Sequence, residues 1–261
     1  MKIFEKSDQL SSRGVVLEKG DVFVFDCNPN VSCFNKCCRN LNLFLYPHDI
    51  IMLRKKLGIS SGEFIENYTD VILPQDRCFP ELLLKMSDNK EQTCPFLSEK
   101  GCSVYTHRPD SCRNFPMEHG VQYNDKGEVE NQVHLFRPPD FCQGHLEQKE
   151  HNLLSWAKDQ DAELTNEMTL LWSETAKYFY SNLWGSQGPY GKKAKMVFMA
   201  AYNIDSFREF VFDSSFLKRY KVKKNIQMRI RVDDEAMLKF AFQWIGLFAL
   251  GLKTDLIKLK K

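Results

Sequence analysis

The chain has 261 residues, 43% hydrophobic and 13% aromatic, with 36 Lys and Arg against 34 Asp and Glu for a formal charge of +2. That composition excludes a disordered chain and leaves length enough for one large domain or two small ones around a sizeable core. Charge so nearly balanced supplies no global field for a polyanion, so neither nucleic acid nor a membrane surface is expected as a partner.

The opening stretch MKIFEKSDQLSSRG shows no apolar run and no small-residue cleavage site, so no secretory signal is expected. Next come two short strand patterns, Val15-Val16-Leu17 and Val22-Phe23-Val24-Phe25, with Gly20-Asp21 as the turn between them. An irregular cysteine stretch follows, and LNLFLY at 41–46 reads as another strand. A helix is predicted from about Pro47 to Leu57, with Asp49 in its first turn, Lys55-Lys56 at its end and Gly58 just beyond. A second starts near Ser60, where Glu63 completes a capping box.

Residues 71–116 are mixed, and 120–136 reads as a hairpin around Asp125-Lys126-Gly127. From about His145 the spacing turns helical, through Leu164, Met168, Leu171, Trp172 and Phe179. GSQGPYG at 185–191 is a loop, Lys192–Ala201 a helix, and Asp205 the expected cap of a short helix bearing Phe207, Phe210 and Val211. Asp233-Asp234-Glu235 place negative charge at the start of a last helix. The apolar run FAFQWIGLFALGL, 240–252, is too short to span a bilayer, and a cytoplasmic protein with reduced thiols is expected.

All nine cysteines fall in the first 142 residues: Cys27, Cys33, Cys37, Cys38, Cys78, Cys94, Cys102, Cys112 and Cys142. Dense thiols in a reducing compartment point to metal or catalysis, and thiolates select zinc and iron–sulfur centres over hard cations. One helical turn would put Cys33 and Cys37 on one face, with Cys38 facing elsewhere. Pro95, Gly101 and Pro109 mark turns that could fold Cys94, Cys102 and Cys112 back onto the first group. Leaving out Cys78, which stands apart in QDRCFPELLL, eight thiols remain. Two tetrahedral sites, or one four-iron cluster with auxiliary cysteines, fit that number equally. No CxxC pair occurs, and a CxxxCxxC run fails at Asn40.

CNPNVSCFNKCCR followed by CPFL and GCSVYTHRPDSCRNFP resembles the CxxCxxCC, or YkgJ-type, cysteine-cluster family, which is described as zinc- or iron-chelating. The resemblance spans about 27–145 and carries over to Cys27, Cys33, Cys37, Cys38, Cys94, Cys102, Cys112 and Cys142 as metal ligands, with Arg108-Pro109 and Arg113 beside them. Five residues, rather than the two of the simplest family pattern, separate Cys27 from Cys33. The motif is also similar to that of flagellin lysine N-methylases. That similarity implies a [4Fe–4S] cluster ahead of zinc, brings S-adenosylmethionine and methyl transfer into view, and suggests that Arg108 and Arg113 bind an anionic substrate or the cofactor's carboxylate.

The remaining features carry less. His107 and His145 lie near cysteines in sequence, but the thiols already suffice as ligands. GSQGPYG follows a helical pattern and so is no dinucleotide fingerprint, and the basic stretch 217–231 reads as a solvated face or a site for an acidic partner. The sequence predicts an α+β protein: an irregular cysteine-rich metal-binding region, 1–145, packed on a mainly helical region, 146–261. Its function is that of an iron–sulfur protein, with a non-catalytic zinc module as the alternative, acting on an unspecified protein or small-molecule partner.

Overall fold

A computed structural model describes residues 2–4, 10–181 and 183–260. The fold is α+β, and the chain forms two compact units that interleave in sequence. The first comprises Met1–Leu43 and Lys85–Glu167; the second comprises Phe44–Leu84 and Met168–Lys261. Residues 44–84 therefore join the C-terminal helices, while the helix Leu153–Asp159 belongs with the cysteines.

In the first unit the expected hairpin forms, with Met117–Tyr123 antiparallel to Val129–Phe136. It anchors a four-stranded sheet: Lys2–Ile3 runs parallel to the outer side of Met117–Tyr123, and Val15–Leu17 pairs antiparallel with Val129–Phe136. The turn at Gly20-Asp21 is present, closed by the Asp21 N–H on the Glu18 carbonyl, and Gly20 has φ 106°. It does not make a hairpin of its flanking strands, however. Phe23–Val24 leaves that sheet and pairs with Glu150–His151. Alternation explains the split, because Leu17, Phe23 and Phe25 can then all face one core with Val31, Cys33, Met117, Cys142 and Trp156.

In the second unit the helix Pro47–Leu57 appears as predicted, with Gly58 in the left-handed region at φ 70°, and Ser60 and Glu63 form the capping box of Ser61–Tyr68. The last helix, Asp234–Leu250, is capped by the Asp233 carboxylate on the Ala236 N–H. It buries Met237, Leu238, Phe240, Trp244 and Ile245, each worth about 1.5–3 kcal/mol of apolar burial. Asp205 is not the cap of Ile204–Asp213. The Asn203 side chain takes the Ser206 N–H instead, and Asp205 accepts from the Ser61 backbone and pairs with Arg208. The 185–191 loop contributes Pro189 and Tyr190 to a largely apolar cleft with Val71, Pro80, Ala194, Lys195 and Phe198. The stretch 217–231 runs through the helix Phe216–Arg219, the strand Tyr220–Val222 and the helix Lys224–Val232. Among the described residues no helix is long and apolar enough to cross a membrane.

Candidate metal centre

The first unit holds Cys27, Cys33, Cys37, Cys38, Cys94, Cys102, Cys112 and Cys142, and all are free thiols. From Asn28 the chain makes successive tight turns: Val31 N–H to the Asn28 carbonyl, Phe34 to Val31, Lys36 to Cys33, and Cys38 to Asn35. Asn35 sits in the left-handed region at φ 64°, so no α-helical turn links Cys33 to Cys37. The expectation of a shared helical face is thereby corrected. Cys38 does not face away from Cys37 either, since the two side chains share a hydrogen bond in the short 3-10 turn Lys36–Cys38.

Backbone pairing then sets Cys38 against the next segment. The Cys94 N–H donates to the Cys38 carbonyl at 2.8 Å, beside a bridge between Arg39 and Thr93. The ladder Leu97–Ser98 with Gly101–Cys102, turning at Gly101 (φ 108°), folds Cys102 back towards Cys94. Cys112 rides on the short helix Asp110–Asn114. That helix is tied down by a buried carboxylate: Asp110 meets the His119 ring at 2.6 Å and also accepts from Asn114, which donates on to Asn166.

Cysteine sulfurs repeatedly accept backbone N–H groups from just downstream. Phe96 donates to Cys94, Val104 to Cys102 and Gly144 to Cys142, while Cys33 accepts from Gln143 at 3.1 Å. Donors of this kind stabilise a thiolate. Burial and mutual repulsion oppose them. Burial first, then the charges of Cys33 and Cys142, push the Cys27 thiol up to about 11. Burial pushes Cys94 up to about 11 and also raises Cys102 and Cys142. The shared hydrogen bond raises Cys37 and lowers Cys38 to about 7.

These electrostatic links run through the whole set of thiols: Cys33, Cys142 and Cys38 act on Cys27, Cys33 acts on Cys142, Cys38 acts on Cys94 and Cys102, and Cys38, Cys112 and Cys27 act on Cys37. Cys78 lies in the second unit, where its thiol donates to the Ser181 carbonyl at 2.7 Å.

A family model named CxxCxxCC, "Putative zinc- or iron-chelating domain", matches residues 26–157, just over half of the chain. The chain belongs to this family. No curated protein and no solved structure matches it.

The donor set suits the metal this family is described as chelating. It is soft, it comes from separate segments of one unit, and backbone N–H groups already point at its sulfurs. Thiols held protonated by burial, and then by one another's charge, are also those on which a cation has most effect. Among the described residues no three His, Cys, Asp or Glu side chains converge as they stand on one ion position.

Arg108 and Arg113 serve the chain itself. Arg113, 1% exposed, donates to the carbonyls of Gln160, Asp161 and Thr106. Arg108 donates to the Tyr105 carbonyl and the Gln160 side chain, and its guanidinium lies 4.0 Å from the Tyr105 ring centroid. Sequence reasoning missed the Asp110–His119 pair. No motif flags it, because a helix and the strand after it, not linear spacing, bring the two side chains together.

Proposed function

We propose that the protein is a thiolate metal-centre protein of the iron–sulfur kind, with Cys37, Cys38, Cys94, Cys102 and Cys112 as the main ligand pool. The supporting observation is the clustering around Cys38: more thiols gather there than the four that close one tetrahedral ion. When bound, a cluster would supply electron transfer or substrate coordination. The residues of the chain would hold it, donate N–H groups to its sulfurs and restrict water. A reducing compartment such as the cytoplasm suits nine free cysteines.

Zinc is the second reading. The N–H donors two residues beyond Cys94, Cys102 and Cys142 suit closed tetrahedral thiolate sites as well. Methyl transfer is supported by resemblance alone, since both arginines spend donors on the chain itself. The test is anaerobic purification followed by elemental analysis and a visible spectrum. Iron with acid-labile sulfide and a brown colour are expected. Stoichiometric zinc in a colourless protein would replace this reading with the zinc module, and no metal in either form would overturn both.

A further inference from the structure

We propose that the ladder of Tyr220–Val222 with Ile257–Leu259, together with the outer face of the helix Lys224–Val232, is a docking surface for an anionic lipid bilayer. The inference goes beyond the metal centre and is independent of it, since these elements all lie in the second unit.

Charge is unevenly spread along the chain. Residues 217–232 carry seven Lys and Arg and no carboxylate, so against a total of +2 the rest of the chain nets −5. The balanced total, which argues against a membrane partner, hides that separation. Tertiary structure then concentrates the positive end. Ladder register sets Lys221 directly opposite Lys258, and alternation puts Lys223 and Lys260 on the same face. That face is the solvent side, because Val222 and Ile257, on the other, are buried. Like charges directly opposite one another destabilise a ladder. Among the described residues none of Lys221, Lys223, Lys224, Lys258 and Lys260 joins an ion pair that would offset this. Lys260 gives one N–H to the Leu217 carbonyl, which leaves its charge in place.

The helix continues the surface. Ile230 marks its buried side, while Lys224, Met228 and Val232 follow one another at i, i+4 and i+8 on the outer side. Met228 is 67% and Val232 82% exposed, two protruding apolar side chains in line with a lysine. The Val222 carbonyl accepts from the Gln227 side chain, which holds the first turns of the helix to the end of the ladder.

Lysines beside protruding aliphatic side chains suit a membrane surface: ammonium groups meet phosphate headgroups, and the apolar tips enter the acyl boundary. The composition points away from other acidic partners. Protein interfaces are depleted in Lys and enriched in Arg and aromatic residues, and single-stranded nucleic acid needs aromatic platforms for its bases. Neither the lysine face nor the Lys224–Met228–Val232 stripe carries an aromatic ring.

Sedimentation of the full chain with lipid vesicles tests the proposal. Vesicles of equal parts phosphatidylglycerol and phosphatidylcholine should carry the protein down at low ionic strength. Phosphatidylcholine alone should not, and high salt should release what is bound. Lys221→Glu separates binding from folding. It faces Lys258 with an opposite charge, so the urea midpoint should stay or rise while vesicle binding falls by about tenfold or more. Met228→Gln combined with Val232→Gln, both at exposed positions, should weaken binding by about tenfold without loss of stability.

Failure to sediment with the phosphatidylglycerol vesicles overturns the proposal, and so does wild-type binding by both variants. Binding to duplex DNA at lower protein concentration than to vesicles would overturn it in favour of nucleic acid. Binding to polyglutamate in preference to vesicles would overturn it in favour of an acidic protein partner.

Discussion

Gly144 is the point at which the turn bearing Cys142 meets the strand leading to Cys27. A Cβ added there would lie 2.5 Å from the Asp26 carbonyl oxygen and 2.6 Å from Phe25 Cε2. Neither neighbour can give way easily. The Asp26 N–H donates to the Gly144 carbonyl at 3.0 Å, and the Phe25 N–H donates to Lys149 at 2.9 Å. The Phe25 ring, 1% exposed, packs edge-on against Phe115, Phe136 and Trp156.

Strain from Gly144→Ala must therefore separate the 142–144 turn from residues 25–27. Overpacking costs about 1–3 kcal/mol, and loss of the backbone hydrogen bond about 1 kcal/mol more, giving about 2–4 kcal/mol. Because the Gly144 N–H also supports the Cys142 sulfur, metal affinity should fall with stability. Urea unfolding of the metal-free protein, followed by tryptophan fluorescence, measures the first effect; competition with a zinc chelator measures the second. Gly246→Ala is the control. Its Cβ would meet Leu252 at an ordinary 3.6 Å inside the helix Asp234–Leu250, so it should be neutral or slightly stabilising. A Gly144→Ala protein within about 0.5 kcal/mol of wild type would refute the reasoning.

Arg113→Ala should cost about 3–5 kcal/mol in the same urea experiment, because a buried guanidinium that ties down three backbone carbonyls is lost; Arg113→Lys, without the planar fork, should recover only part. Cys78→Ser should leave metal content unchanged, as elemental analysis would show, since that thiol sits in the other unit. Burial, and then the charge of His119 opposite it on the neighbouring strand, lowers the His134 pKa below 6.5. Below that value the unfolded chain takes up the proton first, so stability should decline as pH falls from 6.5 towards the folded-state pKa, and His134→Gln should flatten the slope.

Local chemistry made much of this protein legible in its sequence. Pro47, Asp49 and Gly58 bracket one helix, Ser60 and Glu63 open the next, and Asp125-Lys126-Gly127 close a hairpin, because caps and turns are decided within a few residues. The thiols were legible for the same reason: side-chain chemistry is a property of residue type, and the motif around Cys27–Cys38 and Cys94–Cys112 carries the family.

The grouping of those thiols was not legible. Cys33 and Cys37 invite a helical reading that Asn35 in the left-handed region overrules, and Cys38 meets Cys94 only through backbone pairing across a long gap in sequence. Asp205 reads as a cap until Ser61 and Arg208 claim its carboxylate. The interleaved units, the burial of Arg113 and the approach of His151 to the strand before Cys27 depend on contacts between distant segments, whose free energies come from shared burial that no local window contains. Sequence by itself thus determined which donors the protein has; tertiary structure decided which donors are neighbours, because register and packing, not spacing along the chain, bring them together.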